Sequence, residues 1–133
     1  IVGHSKSGAC NPRDSCTKLL TGLIRDGAYC IGRRSPIPQN FAMVCVDWVA
    51  QTIVRLAQHA SSNCATYHLV EPNQKSLGWI IEEVVIKQLN YKMRKETPDA
   101  FRERLQNDPT LENQDHPLFV FKSNFLGKGY TSS

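Results

Sequence analysis

The chain has 133 residues, 41% of them hydrophobic and 21% charged, with a formal net charge of +4. That length fits one domain able to bury roughly two-thirds of its unfolded surface, and the composition excludes a disordered or fibrous chain. No apolar run approaches the roughly 20 residues that span a bilayer, and no signal-peptide pattern opens the chain, so no membrane association is expected and a cytoplasmic location is.

In chain order, Asn11-Pro12 breaks the backbone and Asp14 is a good N-cap. Cys16, Leu19, Leu20, Leu23 and Ile24 follow on one helical face, and Gly27 supplies the stop, which predicts a helix over 15–25. Residues 32–40 hold Gly, two Pro, Ser and Asn and read as a loop. The apolar run from Phe41 to Val46 predicts a strand, after which Asp47 is expected to cap a helix over 48–59. Val49, Ala50, Ile53, Val54 and Ala57 would form its inner face. Ser61-Ser62-Asn63 reads as a turn and residues 65–70 as a second buried strand, ended by Glu71-Pro72-Asn73.

Ser76 then caps a predicted helix over 77–89, with Leu77, Ile80, Ile81, Val84 and Val85 in one stripe and Asn90 at its end. Residues 91–96 read as extended. Thr97-Pro98 opens a further helix anchored by Phe101 and Leu105, because proline suits a first helical turn. A last short helix after His116-Pro117 would bury Leu118, Phe119 and Phe121, and the Gly/Ser-rich tail 127–133 is expected to fray. Strands alternating with helices indicate an α/β chain with few short parallel strands and about four to five helices. Two or three strands are too few for a covered sheet, so the rest of the sheet is expected upstream.

The charge is unevenly placed. The first 66 residues carry seven Lys/Arg against three Asp/Glu, whereas the remainder balances nine against nine. The excess reads either as solvated surface or as attraction to a phosphate-bearing ligand or an acidic protein. Nucleic acid is not expected, because no aromatics interleave with these charges and no binding motif is present. Five cysteines (Cys10, Cys16, Cys30, Cys45 and Cys64) without a C-x-x-C pair suggest reduced thiols. Cys64 and His68 are four apart but lack a second pair at ligand spacing, so no metal site is expected.

Several motifs fail on their chemistry. The opening Ile1-Val2-Gly3 is that of a processed serine protease, yet no catalytic Ser in a Gly-rich setting follows. Gly3 and Gly8 have the spacing of a phosphate loop, but Ala9-Cys10 stands where Lys-Ser/Thr is required. No G-x-G-x-x-G occurs, so dinucleotide binding finds no support in these residues. Tyr91 and Lys95 have the Tyr-x-x-x-Lys spacing of short-chain reductases, which works only on one helical face. An extended 91–96 would separate their Cα atoms by roughly 13 Å. No catalytic residue is therefore assigned.

The stretch Val46-Asp-Trp-Val-Ala-Gln-Thr-Ile-Val-Arg-Leu-Ala57, followed by Thr66-Tyr-His-Leu-Val-Glu-Pro72, resembles the extended short-chain dehydrogenase/reductase family. It is most similar to the thioester reductase domains that end nonribosomal peptide synthetases, polyketide synthases and α-aminoadipate reductases. Gly3-His-Ser-Lys-Ser-Gly-Ala-Cys-Asn-Pro-Arg-Asp14 resembles the segment after that group's catalytic Tyr/Lys, and Ser76-Leu77 and His116-Pro117-Leu118 also fit.

The resemblance implies a single C-terminal substrate-binding subdomain of a Rossmann-type reductase, with the N-terminal Rossmann part, its nucleotide fingerprint and its catalytic set elsewhere in a parent protein. It implies NADPH as the parent's cofactor, with none bound by this chain alone, and a phosphopantetheinyl carrier domain as a further partner. Gly3, His4 and Ser5 match the loop near nicotinamide and substrate, or form a plain surface loop. Asp47 opens the matched motif, with helix capping as its simplest role. Trp48 lines a substrate groove or packs on the subdomain. Lys6, Arg13, Arg33 and Arg34 are candidates to meet phosphopantetheine or an acidic carrier surface. Two functional classes stay open: the substrate side of a reductase, inactive alone, and a non-catalytic carrier-docking or interaction module.

Overall fold

The structure, a computed structural model, describes residues 1–40, 42–59 and 65–126. The tail 127–133, the turn Ser61-Ser62-Asn63 and Cys64 lie outside the described residues. The chain divides into two compact units, Ile1–Thr17 with Ala42–Gln74, and Lys18–Phe41 with Lys75–Ser133. Among the described residues, no helix is long and apolar enough to cross a membrane.

The second unit carries the core. Helix α1 (Ser15–Asp26), whose first residues belong to the other unit, starts as its sequence dictates: the Asp14 carboxylate accepts the Thr17 amide at 3.1 Å. It stops at Gly27, whose φ of 62° is the left-handed conformation glycine adopts without a Cβ clash. Leu19 and Leu23 are buried, while a Cβ on Gly22 would lie 2.4 Å from Leu118 Cγ. That glycine lets the His116-Pro117-Leu118 corner press against the helix backbone. Strands β1 (Ala28–Tyr29) and β2 (Arg94–Lys95) pair in parallel, with Ala28 opposite Arg94 and Tyr29 opposite Lys95. The extended reading of 91–96 holds, whereas β1 was not expected. Its signal was the apolar run Ala28-Tyr-Cys-Ile31 directly after the Gly27 stop.

Helix α3 (Leu77–Trp79) is capped by the Ser76 hydroxyl, which accepts the Trp79 amide at 3.1 Å. It continues as a π-helix over Ile80–Gln88 rather than the expected α-helix, ending where the Leu89 amide reaches the Val84 carbonyl at 2.9 Å. Ile81 and Val85 of the predicted stripe are buried, and Asn90, at φ 57°, turns the chain away. Thr97 caps α4 (Pro98–Asn107) through the Ala100 amide, with Phe101 and Leu105 inward as expected. Short 3-10 turns at Pro109–Glu112 and Phe119–Phe121 lead into α5 (Lys122–Leu126), which buries Phe125. Leu118 is fully buried, but Phe119 and Phe121 are only half-buried.

The first unit departs further from expectation. Of the strand expected over 41–46, Phe41 lies outside the described residues, and the rest shrinks to one parallel bridge, Val2 with Cys45, flanked by Val2 N–H to Val44 O at 2.8 Å and Val46 N–H to Val2 O at 3.2 Å. Helix α2 spans Val46–Gln58, two residues earlier than expected, so Cys45 and not Asp47 holds the N-cap position. Its supposed inner face is mostly bare: Val49 is buried, but Ile53 and Val54 are 56% and 55% exposed. Residues 65–70 form no strand and are largely exposed, because a strand needs a neighbour and the described residues supply none.

Candidate functional site

The loop from Gly3 to Ala9 is closed on itself by two backbone bonds, His4 N–H to Ala9 O at 2.8 Å and Gly8 N–H to His4 O at 2.9 Å. A Cβ on Gly3 would meet the Ala9 carbonyl at 2.8 Å, so only glycine permits that closure. His4 Nδ1 accepts the amides of Lys6 and Ser7, each at 3.2 Å. In the neutral ring this places the hydrogen on Nε2, leaving that nitrogen as a donor.

Asp47 fastens the loop. Its Oδ1 accepts the Ser5 amide at 2.9 Å and its Oδ2 the Ser5 hydroxyl at 2.6 Å, a two-pronged contact across 42 positions of sequence. The hydroxyl and amide of Ser5 hold the Asp47 carboxyl down to about 2, with His4 adding a smaller pull. The cap expected of Asp47 is thus a loop clamp. Sequence reasoning missed it because a first-turn Asp after a strand reads as a local cap, and nothing in the spacing ties residue 47 to residue 5.

Beside the loop is a cavity of about 400 Å³ lined in part by Val2, Gly3, Cys10, Asn11, Asp14 and Val46. It joins an apolar wall to a few polar groups, the usual make-up of a small-ligand site. The Cys16 thiol, pushed up chiefly by burial, lies 3.4 Å from Met43 Sδ. Cys10, Cys16, Cys30 and Cys45 are free thiols.

The expected site residues divide between the units. Gly3, His4, Ser5, Lys6, Arg13 and Trp48 belong to the first, with Lys6 and Arg13 exposed and Trp48 44% exposed in the first turn of α2. Arg33 and Arg34 belong to the second, exposed in the loop after β1, where the Arg34 carbonyl accepts Arg102 at 2.8 Å. Tyr91 and Lys95 are not paired helically: Lys95 sits in β2 and meets Glu82 at 3.2 Å. Among the described residues, no group of three His, Cys, Asp or Glu side chains could hold a metal ion, and Cys64 lies outside them.

The second unit contains an ionic cluster that the sequence did not announce. Arg104 bridges Asp26 at 3.2 Å and Glu96 at 3.0 Å, Arg94 meets Glu96 at 2.7 Å, and His116 Nε2 meets Asp26 at 3.3 Å. His116 is buried, and its Nδ1 accepts the Leu118 amide, so Nε2 is the nitrogen that donates to Asp26. Burial pushes the Glu96 carboxyl up, but Arg94 and Arg104 outweigh it and hold the group below its ordinary value. Beneath, the Arg104 guanidinium lies 5.0 Å from the Phe101 ring.

No family model matches the chain. A solved structure, the terminal R domain from the myxalamid polyketide–peptide biosynthetic pathway, superposes with a TM-score of 0.71 over 98% of this chain at 25% identity. The fold is that of part of a terminal reductase domain. The chain spans 30% of that solved domain's length. It is 36% identical over 75 residues to the non-canonical nonribosomal peptide synthetase FrzA of Cladobotryum sp, matching 56% of this chain and 7% of the relative. It is 24% identical over 132 residues to a subunit of the linear gramicidin synthase of Brevibacillus parabrevis, matching 99% of this chain and 2% of the relative. The chain thus spans only a small share of the length of the curated relatives it matches.

Among the described residues the one sheet pairs two residues with two, and no Gly-rich strand–turn–helix stands where a pyrophosphate could rest on a helix N-terminus.

Proposed function

We propose that residues 1–133 form the substrate-side subdomain of an NADPH-dependent reductase that releases a carrier-bound acyl or peptidyl thioester as an aldehyde or alcohol. The observation that carries this reading is the superposition of nearly the whole chain on a terminal R domain. NADPH and the catalytic residues are assigned to the N-terminal Rossmann part of the parent, and no step of the chemistry is assigned to this segment, which is inactive alone. Its free thiols accord with a cytoplasmic setting.

Gly3, His4 and Ser5 form the loop edge that faces substrate and nicotinamide, held in shape by Asp47. The neighbouring cavity, with its apolar wall, receives part of the acyl chain. Trp48 lines the groove leading to it. Lys6, Arg13, Arg33 and Arg34 attract the phosphopantetheine phosphate or the acidic face of the carrier, since exposed like charges raise the local concentration of an anionic partner. Charge reversal at all four positions should lower turnover of a carrier-bound thioester at least about tenfold relative to the same acyl group on a small free thiol, an effect that shrinks at high salt. Equal losses on both substrates would leave the carrier-facing role without support.

A further inference from the structure

The last turn of α1 and the chain that follows α4 line a second cavity, of about 430 Å³, with Arg25, Pro109, Thr110, Asn113, Asp115 and His116. It lies wholly within the second unit and shares no lining residue with the cavity beside the Gly3–Ala9 loop. Its wall is built by short-range bonds. The Thr110 amide and hydroxyl donate to Asp108 Oδ1 at 2.8 and 2.7 Å, and the Asn113 amide donates to the Thr110 carbonyl at 3.2 Å. The Asp115 amide reaches Asn113 Oδ1 at 2.9 Å and the His116 amide the Asn113 carbonyl at 3.0 Å. A loop whose own groups satisfy one another keeps its shape without a ligand, so the cavity is preformed.

The charged groups around it are of opposite sign and unpaired. Arg25 is exposed, and among the described residues its guanidinium meets no carboxylate. The Asp115 carboxylate meets no cation or donor among them, although both residues line the same cavity. Asp108, the neighbouring acid, already spends its charge on Thr110. His116 is the buried member of the lining, and its ring nitrogens face the Leu118 amide and Asp26, so it offers the cavity ring surface and no polar atom. Pro109 adds a second apolar ring. A lone anion would be drawn to Arg25 and repelled by Asp115, and a lone cation the reverse. A ligand with both charges satisfies both residues, and the guanidinium fork suits a carboxylate at its anionic end.

We infer that this cavity binds a small zwitterion of the α-amino-acid type, with its carboxylate on Arg25, its ammonium on Asp115 and an apolar side chain against Pro109 and the His116 ring. The volume falls within the roughly 300–1,000 Å³ of small-molecule sites. The inference uses no residue of the proposed reductase site and stands or falls apart from it. A ligand there also touches the ionic cluster of the second unit through His116, whose Nε2 meets Asp26, which in turn meets Arg104. Binding should therefore raise the melting temperature as well as fill the cavity.

The test is a titration of the 133-residue chain with L-leucine, followed by the amide chemical shifts of Arg25 and of residues 109–116. Two probes carry one charge each on the same carbon skeleton: 4-methylpentanoate, which lacks the ammonium, and 3-methylbutylamine, which lacks the carboxylate. The expected result is saturable shifts at those residues with leucine at a Kd at or below about 10 mM, and binding of either probe at least about tenfold weaker. Arg25→Gln and Asp115→Asn should each weaken leucine at least about tenfold without loss of helicity, because both side chains are exposed. Exchanging the two charges, Arg25→Asp with Asp115→Arg, should recover binding, a rescue that a merely structural role would not produce. No saturable shift at residues 109–116 up to about 100 mM leucine overturns the inference. So does 4-methylpentanoate binding as tightly as leucine and unaffected by Asp115→Asn, which would leave an anion site only.

Discussion

Replacing Arg104 with Met should be among the most damaging single changes in the second unit. The guanidinium neutralises two carboxylates at once, and the side chains of Asp26 and Glu96 are only 7% and 9% exposed. Met retains the packing over Phe101, so the loss isolates the charge. Breaking a buried pair by removing one partner costs roughly 3–5 kcal/mol, and the lower end applies here because Glu96 keeps Arg94 and Asp26 keeps His116. For a chain of this size about 3 kcal/mol lowers Tm by roughly 10 °C, readable by calorimetry or circular dichroism. The pH dependence follows from Glu96, whose folded pKa is depressed. Its contribution is present above the ordinary glutamate value near 4.3 and disappears as pH falls through the lower folded value. The gap between wild type and Arg104→Met should therefore be full at pH 7 and narrow below about pH 4. A gap under about 1 kcal/mol at pH 7, or one that does not change down to pH 3, would refute the reasoning.

Two further changes probe the framework. Gly22→Ala places a methyl group within 2.5 Å of Leu118 Cδ2, a side chain with no exposure, and should destabilise by about 1–3 kcal/mol in a urea titration; a loss below about 0.5 kcal/mol would mean that the corner at 116–118 yields freely. Asp47→Asn removes the anionic acceptor of Ser5, so the Ser5 amide should exchange faster while α2 stays intact, because that helix is not capped by Asp47. In the wild type the Asp47 carboxyl is held to about 2, so its hold on the loop should persist through pH 4 and fade only as pH approaches that value.

How much was legible in the sequence depended on how local the cause was. Helices α1 and α4 could be read because Asp14, Gly27, Thr97 and Pro98 act on backbone groups within a turn of themselves. The Tyr91/Lys95 pair could be discarded on the same local grounds, since Asn90 ends the helix before it. Long-range pairings were not legible. Nothing near residue 47 reveals a bond to residue 5, and nothing near Arg104 reveals Asp26, 78 positions earlier. The strands expected at 41–46 and 65–70 were assigned from composition that suits a buried sheet, and in the described residues the sheet partners are missing. The same composition leaves the exposed face of α2 unexplained by its own unit. The loop residues Gly3, His4 and Ser5 were singled out only through family resemblance; the geometry adds the clamp that gives them a fixed shape.

The central claim, that this chain is the substrate side of a thioester reductase, is tested most directly by NADPH consumption in the complete reductase polypeptide with an acyl-loaded phosphopantetheinyl carrier. The account predicts oxidation that requires the loaded carrier, yields an aldehyde or alcohol, and is absent when the 133-residue chain is assayed alone. Loaded carrier that is bound but never reduced, with no NADPH consumed, would contradict it and leave a docking module in its place.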